Sequence, residues 1–474
     1  MRIVQTVEVH PRSPAELFQA LTAEQVERFE AAAARARIVL AGKVVWNVSS
    51  TATGGGVAEM LRSLLGYVAG TGVQTGWAVI NGDADFFTVT KRIHNAIHGL
   101  GDAPALGTAD QERYERTLQR NLPDLLELIR PQDLVLLHDP QPAGLLAPLQ
   151  RAGIPAIWRC HIGLDQPNDQ ALAGWRFLRH YVESADAFVF SRRQYAPEWV
   201  PAERLAVIPP SIDPLSKKNR PIAAAECIDI LTSAGVLATD GHTRSSLVQG
   251  GRPPTADARL VVQVSRWDRL KDMAGVMVGF SRMPAAAEED VHLMLVGPAV
   301  TAVADDPEGG EVLADCLATW HDLPAGIRDR VHLVSVPMED PDENATIVNA
   351  IQRHAAVVVQ KSLAEGFGLT VAEAMWKARP VVASAVGGIQ DQIVDGESGL
   401  LIRDPLDLDA FGKAVSRLLA DEAYARRLGQ TAQARVRDQF LGDRHLRQYV
   451  DLFDAVLSGE QRARAGSRGY GTGR

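Results

Sequence analysis

The chain has 474 residues, 46% of them hydrophobic and 23% charged, with 40 Gly and 26 Pro; this is ordinary globular composition, which excludes disordered, collagen-like and membrane-spanning classes and sets an expectation of two or three domains. Its 49 basic and 58 acidic side chains leave a formal charge of −9, so neither nucleic acid nor an anionic membrane is the expected partner, and any phosphate site must be local. The three cysteines, Cys160, Cys227 and Cys316, are too far apart for zinc-ribbon spacing, and the start MRIVQTVEVHPRSP lacks the apolar stretch of a secretory signal, which together with the absence of a membrane-length apolar run gives the expectation of a cytoplasmic protein.

In chain order, the residues before Lys43 read as one Ala- and Glu-rich helix over about 14–37. From Lys43 onward short β-branched runs alternate with helix-period segments, the pattern of an α/β fold with parallel sheets. Strands are expected at 43–48, 76–81, 134–139, 155–162, 187–191 and 205–210. Between the first two, Val57, Met60, Leu61, Leu64, Leu65 and Val68 recur at helical spacing and form one apolar stripe. The proline-rich segment IPPSIDPLSKKNRP, and the polar stretch from there to Asp257, read as linker with short helices. A second strand series follows at 259–265, 292–297, 331–336, 355–360 and 380–384. The expected domains are therefore 1–215 and 216–440. Beyond Asp404 the pattern is helical, with a last helix over 441–460 expected to return to the first domain and a mobile tail at 461–474. Periods of 20 to 50 residues are absent, which excludes repeat architectures.

Three segments carry candidate chemistry. In VVWNVSSTATGGGVAEML a strand leads through Gly54, Gly55 and Gly56 into a helix. Glycines let a ligand approach the backbone, and a helix start offers N–H groups to an anion. A tight turn requiring positive φ is the alternative explanation of the same glycines. The spacing fits neither the dinucleotide-binding nor the P-loop fingerprint. In VVQVSRWDRLKD a strand end is followed by Arg266 and Lys271, a planar fork and a mobile point charge suited to phosphate at the edge where open α/β sheets bind ligands. Arg269 in the same loop is the competing, merely solvated cation. In KSLAEGFGLTVAEAMWKARPVVAS, a strand leads into Glu365, Gly366, Phe367 and Gly368, and a helix from Leu369 to Lys377 carries Glu373. Two carboxylates and a glycine loop at a helix start suit a polyol such as a sugar ring or ribose, whereas capping accounts for either glutamate alone. Asp83 and Asp85 superficially match a metal-binding D-x-D pattern, for which helix capping is a sufficient explanation.

Arg266 and Lys271 with the Glu365-x7-Glu373 spacing resemble the retaining, two-domain GT-B nucleotide-sugar glycosyltransferases that include glycogen and sucrose synthases. VWNVSSTATGGGVAEML, HDPQPAGL, WRCHIGLDQPN, FSRRQYAP, IPPSIDPLSKKN and VSRWDRLKD more narrowly resemble the trehalose glycosyltransferring synthases and the related retaining trehalose phosphorylases, over residues 42–453. The resemblance implies two Rossmann-like domains facing a cleft, with the nucleotide-sugar donor on the second and a glucose acceptor on the first. It implies that Arg266 and Lys271 bind the donor diphosphate and that the triple glycine faces it. It further implies that Glu373 binds the ribose, that Glu365 and the amides of Gly366 to Leu369 hold the donor glucose, that His161 contacts the donor sugar, and that the base packs at Val336. Relatives often carry Asp directly after the His-Ile pair, where this chain has Gly163, with Asp165 two places later. By the same resemblance the product is trehalose, formed from ADP- or UDP-glucose and glucose with retained configuration, by a homodimer. No resident cofactor is required, and divalent-metal use is left open. A trehalose phosphorylase and a non-catalytic sugar-nucleotide sensor are the alternative readings; a nicotinamide oxidoreductase is disfavoured by the missing G-x-G-x-x-G.

Overall fold

The computed structural model describes residues 2–52, 55–101, 106–238, 248–249, 253–284, 289–300 and 308–459. The expected tail at 461–474 lies outside the described residues, as does Gly54. The chain divides into two units: one is Met1–Asp213 with the segment from Leu441 onward, the other Pro214–Phe440.

The first unit holds strands β1 (Gln5–Val7), β2 (Val45–Ser49), β3 (Thr75–Val79), β4 (Leu134–His138), β5 (Ala156–Cys160), β6 (Ala187–Phe190) and β7 (Leu205–Val207). They form one sheet in the order β1-β3-β2-β4-β5-β6-β7, parallel except for β1. β4 and β5 are buried along their whole length, as expected of a parallel sheet covered on both faces. One face packs Phe86, Tyr114, Trp158 and Phe188. The other packs Phe29, Ala33 and Ala36 together with Leu446, Tyr449 and Phe453 of the last helix, Gly442–Leu457, which thus completes the first unit.

The second unit holds β8 (Val248–Gln249), β9 (Arg259–Val264), β10 (Val291–Pro298), β11 (Val331–Val336), β12 (Val357–Gln360), β13 (Val381–Ser384) and β14 (Leu400–Ile402), in the order β14-β13-β12-β9-β10-β11-β8. All its pairings are parallel except β8 with β11.

Two expectations need correction. The single N-terminal helix is two, Pro14–Phe18 and Ala23–Val39. Thr22 restarts the second: its hydroxyl accepts the Gln25 amide at 3.3 Å, and the Gln25 side chain accepts the Thr22 amide at 2.9 Å. This is a capping box that the run Thr-Ala-Glu-Gln announces. Strands β1, β8 and β14 are additional; each has two or three residues, too few to show a period.

Candidate active site

In each sheet the chain reverses direction of winding once, and the loops on either side of that point diverge, leaving room at the C-terminal strand ends. In the second unit the point lies between β9 and β12, whose following loops carry Arg266, Lys271 and Glu365. Gln263 of β9, fully buried, ties the two loops: its side chain donates to the Lys271 carbonyl at 2.8 Å and accepts the Lys361 amide at 3.0 Å. The Leu363 amide donates to the Leu270 carbonyl at 2.8 Å. So fixed, Lys271 Nζ stands 2.5 Å from Glu365 Oε2, which also accepts from Ser362 Oγ at 3.3 Å. Arg266 lies in the same loop, 3.6 Å from Asp268 and over a third exposed. Arg269 turns instead to Glu311 and Asp315 on the helix Gly309–Asp322, which settles it as a surface cation.

The Glu365 to Gly368 loop is held from below. Gln392 donates to the carbonyls of Phe367 and Gly368 at 2.5 and 3.3 Å. Gly388 lets the loop come close: a Cβ there would meet Phe367 Cα at 2.7 Å and the Gly366 carbonyl at 2.9 Å. Gly368, at φ 85°, is the left-handed residue from which the helix Leu369–Trp376 starts, a conformation that favours glycine. Glu373, one turn further, is buried and paired with Lys218 at 3.2 Å. Val336 ends β11 at the same edge of the sheet and is buried.

Motif reasoning did not reach Gln263, Lys361, Asp272 or Lys218. Asp272, at φ 46°, caps the helix Met273–Arg282 by accepting the Gly275 amide at 3.1 Å and pairs with the buried Lys361. The signal for Lys361 was a lysine directly after the apolar run of β12, VVVQK.

In the first unit the reversal lies between β2 and β4. Gly55, at φ 80°, precedes the helix Gly56–Gly70, and a Cβ on it would meet nothing within 4 Å; conformation rather than crowding demands this glycine. His138 closes β4 and His161 follows β5, their rings stacked with centroids 5.4 Å apart. Asp139, at φ 67°, accepts the His161 amide at 2.7 Å. Burial pushes its carboxyl up to about 6 against the pull of that N–H and of Arg159. Burial first, then the charge of Arg159, holds His138 down at about 3 and His161 well below the usual imidazole range. Gly163 lies against Tyr195, whose Cγ a Cβ would meet at 2.2 Å, so no larger residue fits; Asp165 pairs with Arg192 at 2.6 Å. Asp83 caps its helix through the Phe86 amide at 2.9 Å, and Asp85 pairs with Arg113. Among the described residues there is no cluster of metal-ligating side chains.

The family description "Trehalose synthase, N-terminal domain" matches residues 47–197, and "Glycosyl transferases group 1" matches residues 252–435. The chain is 37% identical over 429 residues to a trehalose synthase of Thermococcus litoralis, covering 90% of this chain and 94% of that one. It is 27% identical over 422 residues to a trehalose phosphorylase of Pleurotus pulmonarius, covering 82% of this chain and 54% of the other. Among solved structures, a UDP-forming α,α-trehalose-phosphate synthase from Burkholderia xenovorans superposes with a TM-score of 0.66 at 17% identity, over 88% of this chain and 99% of that one; at that identity the likeness shows the fold. No helix among the described residues is long and apolar enough to cross a membrane.

Proposed function

Because this chain belongs to the trehalose synthase family of GT-B glycosyltransferases, we propose that it transfers glucose from a nucleoside diphosphate glucose, ADP- or UDP-glucose, to free glucose, making trehalose with retention of the donor's configuration. The observation that carries this reading is the Lys271–Glu365 pair at the switch point of the second sheet, with Arg266 in the same loop. In glucosyl transfer the bond from the anomeric carbon to the diphosphate breaks as the bond to the acceptor oxygen forms on the same face. The acceptor's proton passes to the departing phosphate oxygen. Negative charge grows on that oxygen, and preorganised cations act most strongly there. Lys271 exchanges its carboxylate partner for the diphosphate, which releases Glu365 to accept hydrogen bonds from glucose hydroxyls. Arg266 supplies the second charge, and the amides at the start of the Leu369 helix add donors. Glu373 accepts from the ribose in place of Lys218, with the base near Val336. No resident cofactor is part of the reading.

The test is to incubate the purified protein with each nucleoside diphosphate glucose and free glucose, separate the products by chromatography, and determine the anomeric configuration of any trehalose by NMR. A parallel arm supplies trehalose and inorganic phosphate without nucleotide. Trehalose with both anomeric carbons in the α configuration supports the proposal. Glucose 1-phosphate from the second arm alone replaces it with a phosphorylase. Thermal stabilisation by sugar nucleotide with no product points to a sensor.

A further inference from the structure

Across the C-terminal edge of the first sheet runs a chain of four side chains that the mechanism above does not use. His138 Nε2 lies 3.0 Å from Asn47 Oδ1, His138 Nδ1 lies 3.1 Å from His161 Nε2, and Arg159 Nε lies 3.4 Å from His161 Nδ1. They come from the three adjacent strands β2, β4 and β5 and the residue following β5, and all four are buried, Arg159 completely. Arg159 is anchored independently, donating Nη1 to the Ile208 carbonyl at 2.6 Å.

The direction of every bond follows from one end. A guanidinium has donors and no acceptor, so Arg159 must donate to His161 Nδ1, which therefore carries no proton. The neutral ring then holds its proton on Nε2 and gives it to His138 Nδ1. His138 in turn has its proton on Nε2, and the acceptor waiting there is an amide oxygen, as the direction requires. One arginine thus fixes the tautomer of two histidines. The charged and titratable groups around them are Arg159, Asp139, Cys160 and, from the last helix, Arg444, His445 and Tyr449. Burial and Arg159 both oppose an imidazolium here.

We propose that Arg159, His138 and Asn47 are positioning residues that lock His161 as a neutral imidazole with Nδ1 unprotonated during glucosyl transfer. The inference rests on the glucosyltransferase reading. A neutral, immobile ring keeps one fixed hydrogen-bonding pattern at this sheet edge and costs no reorganisation while a sugar is bound there. Asn47 at the far end accepts a proton without ever taking one, so it stabilises the neutral state of the chain. An aspartate at that position would instead favour a protonated His138, whose Nδ1–H would face the Nε2–H of His161.

The experiment has two arms. In the first, the ring nitrogens of the full-length, 15N-labelled protein are observed by NMR at neutral pH, with His138 and His161 assigned from His138→Gln and His161→Gln. Both rings neutral and protonated on Nε2 is the expected result. A proton on Nδ1 of either ring, or an imidazolium, overturns the proposal, and this arm needs no activity. In the second arm Asn47→Asp, which keeps the shape of the side chain, is compared with Arg159→Gln. Each is expected to lower kcat by about tenfold to a hundredfold, the cost of disturbing a positioned group, with the KM for the donor changed by less than about twofold. A kcat equal to the native protein's while the ring signals have changed overturns the catalytic part. Absence of trehalose from the native protein with every donor sinks the glucosyltransferase reading alone and leaves the first arm to decide the tautomers.

Discussion

Replacing Asp139 by asparagine isolates the electrostatic cost of a single half-buried carboxylate. The residue sits at φ 67°, a region that asparagine tolerates better than most side chains, and the amide oxygen can go on accepting the His161 N–H at 2.7 Å. Only the ionisation is lost. Burial raises the Asp139 carboxyl from 3.8 to about 6, so the unfolded chain gives up this proton more readily than the folded one. Asp139 therefore contributes stability that is fully present below pH 3.8 and is lost as the pH rises through about 6. At about 1.4 kcal/mol per tenfold change, the gap between the two values corresponds to about 3 kcal/mol. Between pH 4 and pH 8 the difference between variant and native protein should shift by about 2–3 kcal/mol in favour of the variant. For a unit of this size that is roughly 5–10 °C in melting temperature, read from the first unit's transition in thermal unfolding followed across the pH range. A constant offset between the two proteins from pH 4 to pH 8 would refute the assignment of a penalised, partly desolvated carboxylate.

Removing either charge at the second unit's switch point, by Lys271→Ala or Arg266→Ala, should lower turnover on the order of 10²–10³-fold in the trehalose-forming assay; near-native kcat in a folded variant removes that residue from the leaving-group role. Glu373→Ala should mainly weaken nucleotide binding, measured by titration calorimetry. A Glu373→Ala, Lys218→Ala double-mutant cycle in denaturant should also show coupling of about 1–3 kcal/mol, because the two partners share a buried contact; additive effects would contradict the pairing. Gly388→Ala, whose Cβ would press on the Phe367 backbone, should displace the Glu365 loop and reduce kcat while the rest of the second unit still folds, with circular dichroism and the same activity assay as the checks.

What was readable in advance divides along a physical line. The parallel strands announce themselves as runs such as LVLLH and VHLVSV because both sheet faces are covered, and the polar loops after VVQV and VVVQ mark their ends. Local order along the chain therefore placed Arg266, Lys271 and the Glu365 loop after the strands β9 and β12 that they follow in the structure. Residues that act across the sheet were not visible. Gln263, Asn47 and Arg159 look like misplaced polar residues inside apolar strands, and only the strand order reveals that each has a partner 49 to 98 positions away. A buried polar residue in a parallel strand is expensive unless it is paired, so its presence in the sequence was itself the signal. Glu373 was legible as a candidate, while its burial beside Lys218 depends on how the proline-rich segment folds back, which no spacing rule gives.

The return of the last helix to Phe29, Ala33 and Ala36 has a consequence for biogenesis. While the chain is still emerging from the ribosome, the unit spanning Pro214–Phe440 has all of its own sequence available before the unit begun at the N-terminus has its closing helix. The usual vectorial order, in which the earlier domain folds first, is therefore inverted for the last step. Until Leu446, Tyr449 and Phe453 arrive, one face of the first sheet lacks part of its apolar cover, and in that interval a nascent chain exposes apolar surface.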